Sequence, residues 1–180
     1  MERMERIDRV LKYEGRIIDV YDDVMESPTG RIAHWDCVCH RKGAAAVVPV
    51  LDDGRILLVR QYRNAIERET IEIPAGSRNS VEEPWEFCAA RELEEETGYK
   101  AGSLEFLISV ASTVAFCDEV IEVYLATDLV PSEQHLDEDE FIRLEPYTLE
   151  ELEDMIYHRK IHDAKTISAV MAYAVKAHKN

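Results

Sequence analysis

The sequence lacks any apolar run approaching the roughly 20 residues that a membrane-spanning helix requires. That absence argues against a membrane-embedded chain. Cationic side chains are also few: 21 Lys and Arg stand against 37 Asp and Glu, a net charge of −16. Such a balance repels nucleic acid backbones and anionic membrane surfaces. It would equally repel a phosphorylated small molecule unless cations are supplied locally, by bound metal or by a few placed arginines. There are only four cysteines, Cys37, Cys39, Cys88 and Cys117, with no Cys-x-x-Cys pair and no zinc-like spacing. They read as reduced thiols, which fits a cytoplasmic protein. Residues 1–9 are charged and carry no apolar core of a secretory leader. No repeat or low-complexity segment is visible.

Hydrophobic residues make up 46% of the 180 positions, enough for one domain with a sizeable core. Ile17–Val24 and Ile32–Cys39 read as strands around a Ser27-Pro28-Thr29-Gly30 turn. Ala44–Leu51 is almost continuously apolar, as a strand buried on both faces would be. Asp52-Asp53-Gly54 is a hairpin signal, with Arg55–Tyr62 as the returning strand. Glu69–Ile73 reads as a short strand halted by Pro74, and Ala75–Glu83 as a loop. Pro84 suits the first turn of a helix, and Gly98 its left-handed end, which predicts a helix to about Thr97. Strands are expected near Leu104–Ala111, Val120–Thr127 and Phe141–Leu144, with an acidic loop over Gln134–Glu140. Two helices close the chain. Thr148 and Glu151 form a capping-box pattern for the first, and Asp163 is an N-cap for the second, whose apolar face is Ile167, Val170, Met171 and Ala174. Strands outnumber helices, so the fold class is α+β, with helices against a mixed sheet.

Glu92, Glu95 and Glu96 lie at i, i+3 and i+4 of the predicted central helix, which puts three carboxylates on one face. Their repulsion costs a few tenths of a kcal/mol per pair. A hard divalent cation is the natural partner, since magnesium binds carboxylate oxygens together with phosphates and water. The plainer alternative is a solvated acidic face with Arg91 paired to Glu95.

The flanking residues bear on that choice. Arg91-Glu92-Leu93-Glu94-Glu95-Glu96-Thr97-Gly98-Tyr99 resembles the second half of the Nudix signature, G-x5-E-x7-R-E-U-x-E-E-x-G-U with U apolar. Gly76 heads the loop, but six residues separate it from Glu83 where the signature has five, so either Glu82 or Glu83 fills the first glutamate. The resemblance implies an α/β/α sandwich around a mixed sheet. It implies magnesium, with manganese as a substitute, held by Glu92, Glu95, Glu96 and the carbonyl of Ala75. Arg91 would orient Glu95, and the metal would neutralise a diphosphate and bind the attacking water.

Further stretches resemble the ADP-ribose pyrophosphatase branch of that family: residues 43–50, Leu57–Arg63, Glu72–Gly76 and Ile161–Ile167. This implies that Arg60 or Arg63 reaches the substrate diphosphate; three apart on one strand, they point to opposite faces. Glu72 would meet the adenine or ribose side, and Gly76 and Phe116 would lie beside the substrate. Ser112–Glu119 resembles the branch's later loop without its Pro-Gly pair, and implies Glu119 as the base that deprotonates water, with Asp118 as the alternative. The implied reaction is hydrolysis of ADP-ribose to AMP and ribose 5-phosphate. The alternatives are another sugar nucleotide such as GDP-mannose, or a domain that senses a nucleotide without cutting it. Residues 1–42 are expected to form a small antiparallel region that builds a homodimer, and residues 43–180 the hydrolase domain. No nucleic acid or membrane partner is expected.

Overall fold

A computed structural model describes residues 2–138 and 140–179. Among these residues are twelve strands, three α-helices and a 3-10 turn at Asn64–Ile66: β1 (Glu5–Glu14), β2 (Ile18–Glu26), β3 (Ile32–His40), β4 (Ala44–Pro49), β5 (Ile56–Arg63), β6 (Arg68–Glu72), β7 (Ala75–Ser77), α1 (Trp85–Thr97), β8 (Tyr99–Lys100), β9 (Ser103–Ala111), β10 (Val120–Thr127), β11 (Val130–Pro131), β12 (Arg143–Tyr147), α2 (Leu149–Tyr157) and α3 (Ala164–Ala177).

The central sheet is mixed, in the order β7-β4-β10-β9, with β4 and β10 parallel and the outer pairs antiparallel. β4 explains the layers. Its side chains alternate between two faces. Ala45 and Val47 pack with Cys88, Ala89 and Leu93 of α1. Ala44, Ala46 and Val48 pack the other way, into a cluster that includes Leu152 and Met155 of α2 and Ala169 and Val170 of α3. Helices therefore cover both faces, and the α/β/α sandwich expected from the sequence is the architecture. Leu93 and Leu152 are fully buried, so truncating either to alanine should cost about 2–5 kcal/mol.

The other sheets are β12-β5-β6, β8 with β11, and the N-terminal β1-β2-β3. The Asp52-Asp53-Gly54 turn forms, with Gly54 at φ +84. It does not join a hairpin within one sheet. β5 leaves β4 after a single Val50–Ile56 bridge and pairs with β6 and β12 instead.

Three other expectations are corrected. β1 was not anticipated; its apolar residues Ile7, Val10, Leu11 and Tyr13 are interspersed with charges and stay exposed, and it forms by pairing along β2. The segment read as a loop after Pro74 begins with β7, whose three residues pair with Ala44–Ala46. The strand expected at Phe141–Leu144 runs from Arg143 to Tyr147 and includes Pro146, which is tolerated because β12 is an edge strand. The helix ends are as expected. Gly98 adopts φ 70 at the end of α1, Thr148 and Glu151 form the reciprocal box on α2, and Asp163 caps α3. All four cysteines are free. Among the described residues, no helix is long and apolar enough to cross a membrane.

Candidate active site

α1 carries Arg91, Glu92, Glu95 and Glu96 against β7. The Arg91 guanidinium donates to Glu92 at 2.6 Å, Glu95 at 2.7 Å, Glu83 at 3.1 Å and the Ser77 carbonyl at 3.1 Å. Of the two glutamates left open by the sequence, Glu83 meets Arg91, whereas Glu82 is exposed. Glu96 is buried on the sheet side and accepts the Ala75 N–H at 3.1 Å. The Glu92 carboxyl lies over the α-carbon of Gly76, where an added Cβ would stand 2.2 Å from it.

With all four carboxyls ionised, this cluster carries more negative charge than its own cation offsets: one arginine against Glu83, Glu92, Glu95 and Glu96, 1 − 4 = −3. Burial pushes the Glu92 carboxyl up to about 7 against the pull of Arg91, with Glu95 adding to the rise. Burial and then Glu92 push Glu96 up to about 8. Among the described residues, no three acid, histidine or cysteine side chains are gathered as a ready metal cage; Arg91 occupies the space between Glu92 and Glu95. The donor chemistry nevertheless fits a hard divalent cation. The oxygens are carboxylate oxygens, they are part-buried, and their charge exceeds what Arg91 offsets.

Beside β7 lies a cleft of about 280 Å³ lined in part by Arg63, Ala75, Gly76, Glu119, Asp163 and Lys165. Its cationic wall rests on a buried carboxylate. Glu72, 2% exposed, accepts both arms of Arg63 at 2.7 and 2.6 Å, the Thr70 hydroxyl at 2.6 Å, and Lys165. Burial raises the Glu72 carboxyl, but Arg63 and Lys165 outweigh it and hold it down to about 2. The cap of α3 sets Lys165: Asp163 accepts the Thr166 N–H at 2.9 Å, the Thr166 hydroxyl at 2.6 Å and Lys165 at 3.0 Å.

The structure thus brings Arg63, Ala75, Gly76 and Glu119 to one cleft, with Arg91, Glu92, Glu95 and Glu96 directly behind β7. Glu72 lies beneath it as the anchor of Arg63. Arg60 points away, into a fork with Glu145 at 2.6 and 2.8 Å. Phe116 is 53% exposed and outside the cleft lining. Asp118 is turned to the backbone N–H of His40 at 2.7 Å, which leaves Glu119 as the acid facing the cleft. Lys165 was not singled out from the sequence. Its only signal was its place inside the Ile161–Ile167 stretch, just after the Asp163 cap.

A glutamate-bearing helix packed on one face of a mixed sheet, beside a cleft that holds Arg63, Lys165 and Glu119, is the arrangement expected of a Nudix domain. The chain belongs to the NUDIX domain family, whose model matches residues 40–169. It is 40% identical over 166 residues to the ADP-ribose pyrophosphatase of Bacillus subtilis (strain 168), covering 91% of this chain and 89% of that one. It is 41% identical over 160 residues to the methanol dehydrogenase activator of Bacillus methanolicus, covering 88% and 85%. A crystal structure of an ADP compounds hydrolase superposes with a TM-score of 0.88 over 98% of this chain and 95% of that one, at 21% identity, which shows a common fold.

Proposed function

We propose that the protein hydrolyses the pyrophosphate of ADP-ribose to AMP and ribose 5-phosphate with a divalent cation, magnesium, for which manganese can substitute. The observation that carries this reading is that β7 lies between a cluster of acids and a pair of cations. Uncompensated glutamates of α1 stand behind Ala75 and Gly76, and Arg63 and Lys165 face the same cleft with Glu119. A diphosphate needs both, a metal on one side and fixed cations on the other, in a chain whose net charge would otherwise repel it. The ADP-ribose pyrophosphatase of Bacillus subtilis supports the choice of substrate.

Glu92, Glu95, Glu96 and the Ala75 carbonyl would hold the cation. When bound, it neutralises the diphosphate and lowers the pKa of the attacking water. Arg63 binds the diphosphate oxygens, presented by its fork to Glu72. Glu119 takes the proton of water as the water oxygen bonds to phosphorus and the bridging P–O bond breaks. Arg91 keeps Glu92 and Glu95 oriented.

The protein is further proposed to act in the cytoplasm as a homodimer joined through residues 1–42, with residues 43–180 as the hydrolase domain. Supporting the dimer, the N-terminal sheet exposes Ile7, Leu11, Tyr13, Ile32 and Trp35.

The test is turnover of ADP-ribose and GDP-mannose with magnesium, with products identified by mass. Release of AMP and ribose 5-phosphate is expected. Turnover of GDP-mannose with ADP-ribose untouched would defeat the substrate assignment, and no turnover of either would defeat the enzyme itself.

A further inference from the structure

His40 ends β3, and its side chain is 8% exposed. Its Nδ1 accepts the Gly43 N–H at 2.9 Å. A ring nitrogen that accepts carries no proton, so the neutral imidazole bears its proton on Nε2. Nε2 is 3.8 Å from Oε1 of Glu119. The Gly43 donor is itself fixed. That residue sits at φ +71, and a Cβ there would stand 2.4 Å from the Trp85 ring at the start of α1. The main chain adds to the grip: Val38 donates to Phe116 at 2.6 Å and accepts from Asp118 at 3.1 Å, while the His40 N–H reaches the Asp118 carboxylate at 2.7 Å. Three hydrogen bonds thus tie the end of β3 to the segment that presents Glu119, and the His40 side chain near Glu119 offers an N–H donor.

We propose that His40 is a positioning residue for Glu119: its Nε2–H closes on Oε1 and holds the carboxylate so that Oε2 faces the attacking water. A separation of 3.8 Å is a short closure, and catalytic hydrogen bonds commonly tighten only when substrate is bound. A neutral donor on one oxygen fixes the orientation of the base without taking its charge. The N-terminal sheet, whose exposed apolar side chains support the proposed dimer, then also has a task in the hydrolysis. This inference rests on Glu119 being the base.

The experiment uses the full chain with magnesium and ADP-ribose, comparing H40N, H40Q, E119Q and H40N/E119Q. Asparagine can keep an acceptor for Gly43 but places no donor where Nε2 stood; glutamine places an N–H there. Expected is a fall in kcat of about tenfold or more for H40N, with KM within about twofold. H40Q should recover most of that loss, and the double variant should be no slower than E119Q alone, because His40 acts only through Glu119. Equal kcat for H40N and wild type would overturn the proposal. So would equal losses in H40N and H40Q accompanied by equal falls in Tm, which would mark a purely structural cap on Gly43. If E119Q itself turned over like wild type, the base assignment would fall and take this role with it, an outcome visible without any His40 variant.

Discussion

The carboxyl of Glu92 occupies the space that a side chain on Gly76 would need; a Cβ built there stands 2.2 Å from its Cδ. The backbone of Gly76 is not left-handed, so alanine there meets crowding and no backbone strain. The crowding atom is the far end of a flexible side chain, so the fold can absorb G76A by swinging Glu92 away. G76A should therefore melt within about 3 °C of wild type, a shift of roughly 1 kcal/mol for a chain of this length, while losing most of its magnesium affinity and kcat. Isothermal titration with magnesium checks this. An unchanged affinity would mean that Glu92 is not a ligand.

Glu95 is the most exposed of the three helix glutamates, its side chain 38% accessible, and Arg91 is its ion-pair partner. E95Q should fold normally and lose about 10²–10³ in kcat, the usual cost of deleting one group that stabilises developing charge. Circular dichroism with steady-state kinetics separates the two effects. Turnover unchanged in E95Q would remove Glu95 from the cation site.

Binding of a divalent cation should also stabilise the protein, because it offsets charge that Arg91 alone cannot. At a hundredfold excess over Kd the gain is about 2.7 kcal/mol, several degrees in Tm for a chain of this size. The shift should vanish in E92Q. A Tm indifferent to both magnesium and manganese would contradict the proposed site.

What could be read in the sequence divides along physical lines. The ends of α1, α2 and α3 were legible because caps are local: Gly98, Thr148 with Glu151, and Asp163 each act within a turn of the chain. β4 was legible because a strand covered on both faces must be apolar throughout. The glutamates of α1 were legible because their spacing is a helical one. β1 was not legible, since Glu5–Glu14 is mostly exposed and gains its place only from pairing with β2. Nor was the cationic wall. Lys165 meets Glu72 across 93 residues of chain, and the choice between Arg60 and Arg63 depends on Glu145 and Glu72, whose positions are set by the assembly of the second sheet.

Glu72 should give the protein an acid-sensitive component. Its folded carboxyl is held to about 2, below the ordinary 4.5, so on acidification the unfolded chain takes up the proton first. The resulting stabilisation, on the order of 3 kcal/mol, is fully present above about pH 4.5 and is lost as the pH falls through about 2. Urea melts at stepped pH should show this slope, and E72Q should flatten it. E72Q should also lower stability near neutrality by about 3–5 kcal/mol, because Arg63 and Lys165 would lose their buried partner. A slope identical in E72Q and wild type would place the acid sensitivity elsewhere.

Arg63 joins this buried acid to the cleft, and the form of its contact matters as well as its charge. Its Nε and Nη2 take the two oxygens of Glu72 at 2.7 and 2.6 Å, which leaves the remaining edge of a planar, pre-set guanidinium for the substrate. Lysine keeps the charge but has neither the fork nor the plane. R63K should therefore bind ADP-ribose more weakly and turn it over more slowly, with kcat/KM down about tenfold to a hundredfold, a loss of roughly 1.4–2.7 kcal/mol of transition-state binding. R60K, at the fork with Glu145 outside the cleft, should leave kcat/KM within about twofold of wild type. The contrast separates a cleft arginine from one that serves the sheet. If R60K proved the more damaging of the two, the cleft between Arg63 and Glu119 would not be where the diphosphate sits.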